Sequence, residues 1–281
     1  MAISNAQTGA APASATSQSS PLVMRIIGAV ALAHLINDLI QSVLPSIYPM
    51  LKANYGLTFT QVGLITLTFQ LTASLLQPWV GYHTDRHPKP WLLPAGSVCT
   101  LIGILMMSVV GSFPMILLAA ALIGIGSSTF HPEASRVARL ASGGRFGLAQ
   151  STFQVGGNAG SAFGPLLAAA IIIPFGQGHV AWFGLFAVFA LFVLHRISRW
   201  YANHLNLFKL KQGQAATHGL SKGRVTSALV VLGLLVFSKY FYMSSLTSYY
   251  TFYLIEKFDL SVASSQLHLF LFLGAVAAGT F

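Results

Sequence analysis

The stretch PWLLPAGSVCTLIGILMMSVVGSFPMILLAAALIGIGSSTFHP, residues 90–132, contains no Asp, Glu, Lys or Arg. A helix needs ~20 consecutive apolar residues to cross the hydrocarbon core of a bilayer. Because GSFP at 111–114 interrupts the stretch, it predicts two membrane-spanning helices joined by a short turn. The stretch 146–195 is equally free of charged residues and is interrupted by PFGQG at 174–178, so it predicts two more.

The composition also indicates an integral membrane protein. Of the 281 residues, 54% are hydrophobic and only 7% are charged, and the mean hydropathy is +0.70. A soluble domain usually has ~25% charged residues. The net charge is +10, but the basic residues lie in short segments between apolar runs. This arrangement predicts contact with the lipid bilayer and not with nucleic acid.

The apolar pattern predicts eight helices. They lie at roughly 22–51, 58–82, 90–111, 114–139, 145–173, 179–200, 224–254 and 260–281. We expect Pro45 and Pro49 to kink or end the first helix. Residues 1–21 carry no charged side chain and are rich in Ala, Ser and Gln. They lack the basic start and apolar core of a signal peptide, so they predict a disordered tail.

The basic residues are distributed unevenly between the two ends of the predicted helices. One end carries Arg25, Arg86, Lys89, Arg136, Arg139, Arg145, Arg196, Arg199, Lys209, Lys211, Lys222 and Arg224. The other end carries only Lys52 and Lys257. The positive-inside rule therefore predicts a cytoplasmic N-terminus. The predicted domains are a six-helix bundle at 22–200, a cytoplasmic linker at 201–223 and two further helices at 224–281.

The stretch AHLINDLIQ, 33–41, places polar residues in the middle of the first predicted helix. His34, Asn37, Asp38 and Gln41 are spaced i, i+3, i+4 and i+7, which forms one stripe on a helix. Asp38 lies ~20 Å beyond Arg25 along the helix. An ionisable group at that depth costs at least ~2.5 kcal/mol. The stripe predicts a functional acid that faces a cavity, or alternatively a buried acid held by His34 or Asn37.

Lys239, in FSKYFYMSS, has a similar predicted depth in the seventh helix and is followed by tyrosines that include Tyr240 and Tyr242. A cationic and aromatic helix suits an amphipathic anion. We expect Lys239 to be the electrostatic counterpart of Asp38 across a central cavity. The alternative is a lysine that only extends toward water.

The segment GYHTDRHPKP, 81–90, resembles the loop signature of the major facilitator superfamily, Gly-x-x-x-Asp-Arg-x-Gly-Arg/Lys. Gly81, Asp85, Arg86 and Lys89 match the signature, and Pro88 stands where a glycine is usual. The resemblance implies that these residues hold a cytoplasmic gate. A turn with positive-inside charges is the plainer interpretation.

The segment GGNAGSAFGP, 156–165, resembles the fifth-helix antiporter motif of the same superfamily. Its residues are Gly156, Gly157, Gly160, Gly164 and Pro165. Glycines spaced by four residues leave one helix face without side chains, and the proline bends the helix. Ordinary packing of small residues would produce the same pattern.

The fourth predicted helix departs from the family. Ala120 occupies the position where many drug/proton antiporters carry an arginine. The helix ends in FHPEASRVAR, 130–139, where His131, Glu133 and Arg136 cluster around Pro132. We expect Glu133 near the cytoplasmic mouth, either handling protons or paired with Arg136.

Four longer runs resemble proton-coupled drug efflux permeases of this superfamily. They are AHLINDLIQS, LTFTQVGLITLTFQL, FHPEASRVARLASGGRFGLAQSTFQVGGN and FSKYFYMSSLTSYYTFYL. A full member has twelve helices in two halves of six. The resemblance therefore implies an all-α membrane protein with the major facilitator fold, of which this partial sequence carries eight of twelve transmembrane helices.

The resemblance implies export of small amphipathic compounds, such as an anionic phosphonate antibiotic, in exchange for protons. It implies a monomer in the bacterial inner membrane, without cofactor or metal. The proton would bind Asp38, helped by His34, with Glu133 as the next candidate. The predicted central cavity lies between the first, fourth, fifth and seventh helices. Its substrate-binding residues would be Asn37, Gln41, Gln70, Gln154, Asn158, Lys239, Tyr240 and Tyr242.

Two alternatives to export remain. The first is a proton-coupled importer of a small organic anion with the same fold, which the sequence barely separates from an exporter. The second is a membrane enzyme or sensor. It is disfavoured because the nine histidines are scattered along the chain and no catalytic acid pair appears.

Overall fold

The computed structural model describes the backbone of residues 22–212 and 221–280 and the side chains of 22–205 and 221–280, and the regular secondary structure of this part of the chain is all helical. Its eight long helices are α1 (Met24–Ser46), α2 (Phe59–Arg86), α3 (Leu92–Val109), α4 (Phe113–Ala141), α5 (Phe146–Phe175), α6 (Phe183–Gln212), α7 (Lys222–Phe258) and α8 (Val262–Ala278). The predicted tail at 1–21 lies outside the described residues. The prediction of an all-α chain is confirmed.

Seven helices are long and apolar enough to cross a membrane. They are α1 to α5, α6 together with the 3-10 turn Gln177–Trp182 that precedes it, and α7. The last helix, α8, is apolar but has only 17 residues, so it reaches ~26 Å against the ~30 Å of the hydrocarbon core. The chain is therefore a multi-span membrane protein, and the prediction of eight spans is approximate.

Pro45 and Pro49 interrupt the first predicted helix, as the sequence predicted. Pro45 lies in the last turn of α1, and the short helix Tyr48–Tyr55 follows with Pro49 in its first turn. A proline is tolerated there because the first backbone N–H groups of a helix have no partner within the helix. Gly56, with φ of 59°, ends the short helix in the left-handed conformation.

Three predicted helix ends were too early, including that of α7, which ends at Phe258 instead of 254. The helix α2 starts after a capping box at Thr58 and continues to Arg86 instead of ending at 82. Most of the predicted loop signature is therefore helical, and the chain leaves the helix only where Pro88 and Pro90 disfavour it. The helix α6 continues to Gln212 instead of ending at 200. The predicted linker is thus helical over 201–212, and its centre at 213–220 lies outside the described residues.

Helices α1 to α6 pack together around two apolar clusters. The helix α1 lies along α5, and α3 lies along α4 and α6. One cluster surrounds Ile40, Leu44 and Ile47 toward the end of α1, and the other surrounds Phe130 and Tyr201. Buried side chains from several helices meet in each cluster, so these six helices form one bundle.

The last two helices contact this bundle unevenly. The helix α8 packs against α5 through Leu269 and Leu273. In α7, the C-terminal part is buried at Ser248, Thr251 and Phe252, whereas nearly all residues between 222 and 242 are exposed. The helix α7 therefore meets the bundle at one end and departs from it at the other, which leaves a cavity between them.

Candidate functional site

A cavity of about 830 Å³ lies between the bundle and the last two helices. Its walls come from α1, α2, α4, α5, α7 and α8. The sequence predicted walls from the first, fourth, fifth and seventh helices, so α2 and α8 are additions. Pro45 of α1 and Pro165 of α5 also line the cavity.

The polar stripe of α1 faces this cavity. His34, Asp38 and Gln41 line it, whereas Asn37 lines a small separate pocket. The Asn37 side chain still contacts the stripe, because its Nδ2 donates to Oδ1 of Asp38 over 3.0 Å. Gln41 Nε2 lies 3.4 Å from the same oxygen. The predicted stripe is therefore one connected polar network.

The Asp38 carboxylate lies between two histidines. Oδ2 of Asp38 is 3.3 Å from Nε2 of His34 on the same helix, and Oδ1 is 3.5 Å from Nε2 of His131 on α4. His34 is almost fully buried, while the side chains of Asp38 and His131 are 18% and 25% exposed. We name these three residues the His–Asp–His cluster, and all three line the cavity.

Backbone carbonyls orient both imidazoles of the cluster. Nδ1 of His34 lies 2.8 Å from the Phe153 carbonyl oxygen, and Nδ1 of His131 lies 3.0 Å from that of Ser127. A carbonyl oxygen only accepts hydrogen bonds, so each Nδ1 carries the hydrogen, and in a neutral ring Nε2 is then a bare acceptor. Two bare nitrogens would face carboxylate oxygens. The arrangement therefore favours an added positive charge, from a proton or another cation.

The glycine motif of α5 makes room for this cluster. A Cβ atom at Gly157 would overlap the His34 ring and lie 2.9 Å from Oδ2 of Asp38. The His34 ring also stacks on Phe153, with 4.0 Å between the ring centroids. The side chain of His34 is thus held between α1 and α5 in one orientation.

The other motif glycines bring the backbones of α1 and α5 together. A Cβ at Gly156, Gly160 or Gly164 would overlap α1, at the carbonyls of Ala31 and Leu35 or at Ser42. This is close helix packing through small residues. The observed contacts therefore agree with the packing interpretation of the motif and leave its role in antiport a prediction.

Most of the predicted substrate residues line the cavity. They are Gln41, Gln70, Gln154, Asn158, Lys239 and Tyr240. Tyr242 is 61% exposed and is not part of the cavity wall. Asn158 connects the bundle to the end of α8, because its Nδ2 donates to Thr280 Oγ1 over 2.7 Å. The two amides of α5 also bond to each other, from Gln154 Nε2 to Asn158 Oδ1.

Lys239 lines the cavity but does not pair directly with Asp38. In the described part of the chain, no carboxylate oxygen lies within 4.0 Å of its ammonium nitrogen. The ammonium lies 5.4 Å from the centroid of the Tyr240 ring instead. The ionisable partners of Asp38 are His34 and His131, and the contact with His131 was not predicted from the sequence. The only feature of the sequence that pointed to this contact was the position of His131 on the fourth helix, which was predicted to line the cavity.

The residues clustered at 130–139 divide between two sites. Side chains two positions apart on a helix point in directions ~200° apart around the helix axis. His131 therefore reaches Asp38, while Glu133 points away from the cavity. The Arg136 guanidinium donates to Glu133, to Asp85 and, over 3.0 Å, to Thr84 Oγ1. Glu133 is fully buried. The ion pair between Glu133 and Arg136, one of the two sequence interpretations, is therefore present.

The loop signature joins three helices at this end of the molecule. Asp85 connects α2 to α4 through Arg136. Gly81 lies against Pro132 of α4, since a Cβ there would be 3.8 Å from the proline Cβ. The Arg86 guanidinium stacks 4.0 Å from the Tyr82 ring, and the Lys89 carbonyl accepts the first N–H of α3 over 3.0 Å.

Comparison with known proteins agrees with this architecture. The chain is 56% identical over 280 residues to the fosmidomycin resistance protein of Escherichia coli (strain K12), a match that covers 100% of this chain and 69% of that protein. It is 40% identical over 263 residues to the uncharacterized MFS-type transporter YfnC of Bacillus subtilis (strain 168), covering 92% of this chain and 64% of YfnC.

The fold resembles solved transporter structures. A bacterial homolog of the human lysosomal transporter Spinster, in an inward-facing and occupied conformation, superimposes with a TM-score of 0.66 at 15% identity. The superposition covers 89% of this chain and 58% of that one. The family model of the Major Facilitator Superfamily matches residues 30–281. With that match and the close E. coli relative, the chain belongs to the Major Facilitator Superfamily of membrane transporters.

Proposed function

We propose that the protein is a proton-coupled exporter of small amphipathic compounds, fosmidomycin among them, in the bacterial inner membrane. The observation that carries the proposal is the Asp38 carboxylate held between two imidazoles at the wall of a large cavity. The fosmidomycin resistance protein, 56% identical to this chain, suggests the compound.

The proton would bind within the His–Asp–His cluster. With both rings neutral and Asp38 ionised, the cluster has a charge of −1, and bare nitrogens face its oxygens. One added proton makes the cluster neutral and turns one of these contacts into a hydrogen bond. Asp38 and His131 are partly exposed to the cavity, so the proton can leave when the cavity opens to the other side of the membrane.

The substrate would lie in the same cavity as this cluster. The cavity wall carries the amides of Gln70, Gln154 and Asn158 and the ammonium of Lys239. Aromatic side chains at Phe69, Phe153, Phe237 and Tyr240 supply apolar surface. An ammonium beside amides and aromatic rings suits a small anion with an apolar part.

Transport would proceed by alternating access. At the α2 end that begins with Phe59, the bundle contacts α7 through the Phe59 and Phe252 rings, 5.2 Å apart, and through Thr66 and Ser248. At the end that carries Arg86, the first half of α7 is exposed. In this arrangement the cavity would open toward the basic end, which the positive-inside rule assigns to the cytoplasm. Rocking of one part against the other would open the opposite end.

The decisive experiment compares Asp38→Asn with Glu256→Gln in the full-length protein in proteoliposomes. Glu256 is an exposed acid near the end of α7 and serves as the control. We expect Asp38→Asn to abolish accumulation driven by a pH gradient while exchange of labelled fosmidomycin across the membrane continues. Glu256→Gln should behave as the wild type.

The same assay determines the direction of transport. Export requires that fosmidomycin moves against the imposed proton flux. Movement with the protons would instead support the importer. If Asp38→Asn still concentrates the compound, the proton site is elsewhere and Glu133 is the next candidate.

A further inference from the structure

The His–Asp–His cluster also has the donor set of a metal site. Nε2 of His34, Nε2 of His131 and a carboxylate oxygen of Asp38 all lie within 4.8 Å of one another. Zinc sites commonly use imidazole nitrogens and carboxylate oxygens, and sites that take a further ligand use three protein ligands and leave one position open. The three atoms come from α1 and α4, on the cavity wall.

The spacing of these atoms fits a tetrahedral ion. With metal–ligand bonds of ~2.0–2.2 Å, two ligands of a tetrahedral zinc ion lie about 3.3 Å apart. The two nitrogen–oxygen distances in the cluster are 3.3 Å, from His34 to Oδ2 of Asp38, and 3.5 Å, from His131 to Oδ1, so a rotation of the carboxylate would bring one oxygen within ligand spacing of both nitrogens. The two histidine nitrogens would approach each other further on binding, and the partly exposed His131 ring has the freedom to do so.

The surroundings of the two rings resemble those of metal-binding histidines. A metal-ligating histidine usually donates its other ring N–H to a carbonyl or carboxylate, which sets the ring orientation. Both rings meet this condition, through the carbonyls of Phe153 and Ser127. This observation is independent of the spacing, because it concerns the opposite side of each ring.

The charge and the donor types select the class of ion. Imidazole nitrogens favour first-row transition ions and zinc over Mg²⁺ and Ca²⁺, which prefer oxygen ligands. A divalent ion would leave the ionised cluster with a charge of +1, so the open position facing the cavity suits water or an anion. Among the described residues that line the cavity, Asp38 is the one acid.

We propose that His34, Asp38 and His131 bind one divalent transition-metal ion of the zinc class, with a fourth position open to the cavity. The inference uses the residues of the proposed proton site but does not require proton coupling. It concerns binding at equilibrium, which is measured without transport.

The test is titration of the purified full-length protein in detergent with Zn²⁺ alone, followed by calorimetry. The variants are His131→Gln and Asp38→Asn, and the matched control is His268→Gln. His268 is exposed on α8, and its Nδ1 makes the same contact to a carbonyl four residues earlier. We expect one Zn²⁺ per chain, an affinity at least about tenfold lower in the two cluster variants, and wild-type affinity in the control.

Co²⁺ provides a readout that does not depend on the variants folding. Bound by two imidazoles and a carboxylate, it should give the strong visible absorption of a four-coordinate ion in the wild-type protein, and added Zn²⁺ should remove that absorption. Equal Zn²⁺ affinity in wild type and cluster variants, or Co²⁺ that keeps the spectrum of the hydrated ion, overturns the proposal. Loss of proton coupling in Asp38→Asn with no Zn²⁺ binding by the wild type would leave only the transport function supported.

Discussion

Nε2 of His131 on α4 lies 3.5 Å from Oδ1 of Asp38 on α1, and this contact joins two helices of the bundle at the cavity wall. His34 holds the other carboxylate oxygen and is itself fixed by α5. A change in the charge of Asp38 therefore acts on α1, α4 and α5 together. A transporter that couples a proton to helix movement needs such a connection.

The Gly157 position should tolerate no side chain. In Gly157→Ala, the new methyl group would displace His34 and Asp38, so we expect a loss of stability of ~1–3 kcal/mol and loss of transport. Gly147→Ala is the matched control, because Gly147 lies in the same helix with nothing within 4 Å of an added Cβ. Thermal unfolding in detergent and transport in proteoliposomes measure the two effects. Equal behaviour of the two alanine variants would show that α5 does not hold the cluster in place.

Arg136 should be necessary for stability at the α2–α4 junction. Removal of its side chain in Arg136→Ala leaves the fully buried Glu133 without its cation, and breaking a buried pair costs ~3–5 kcal/mol. We expect a large drop in the thermal unfolding temperature. Arg139→Ala, an exposed position on the same helix, should change little. Adding Glu133→Gln to Arg136→Ala should recover part of the loss, and a further loss would argue against the buried pair as its cause.

A cross-link between Thr66 and Ser248 should stop transport. Their hydroxyl oxygens are 3.3 Å apart where α2 meets α7, so cysteines at these positions would place their sulfur atoms near each other, as a disulfide requires. The protein with Cys99, its only cysteine, replaced by alanine is the background. Oxidation of the double-cysteine variant should abolish transport and a reductant should restore it, while Thr66→Cys alone stays active. Full transport by the cross-linked form would refute alternating access at this contact.

Lys239 should select for anionic compounds. A hydrogen bond to a charged group contributes ~1.5–3 kcal/mol, so Lys239→Gln should raise the KM for fosmidomycin ~10–100-fold. A neutral analogue should be little affected. Lys257, which lies 5.2 Å from the Tyr253 ring near the end of α7, offers the control Lys257→Gln. A similar KM for both compounds in Lys239→Gln would remove this residue from the substrate site.

Apolar patterning was sufficient to predict the helices. The hydrocarbon core accepts only segments that carry few charges and whose backbone N–H and C=O groups form hydrogen bonds within the protein, as in a helix. The charge-free stretches 90–132 and 146–195 became α3, most of α4, α5 and the first part of α6. The ends of α2 and α6 were not predicted correctly, since both helices continue past the apolar stretch into polar sequence. A helix can continue there because water does not penalise its charged side chains.

The candidate site was likewise predictable from the sequence in one part and decided by the tertiary structure in another. Periodicity alone placed His34, Asp38 and Gln41 on one face of α1, because residues three and four apart are neighbours on a helix whatever surrounds it. The pairing of Asp38 with His131, and not with Lys239, depends on which face of α4 packs against α1. The apolar cluster around Phe130, in which side chains of α4 pack with Val30 and Ala33 of α1, selects that face. Its members are far apart in the sequence, so their packing is decided only in the tertiary structure.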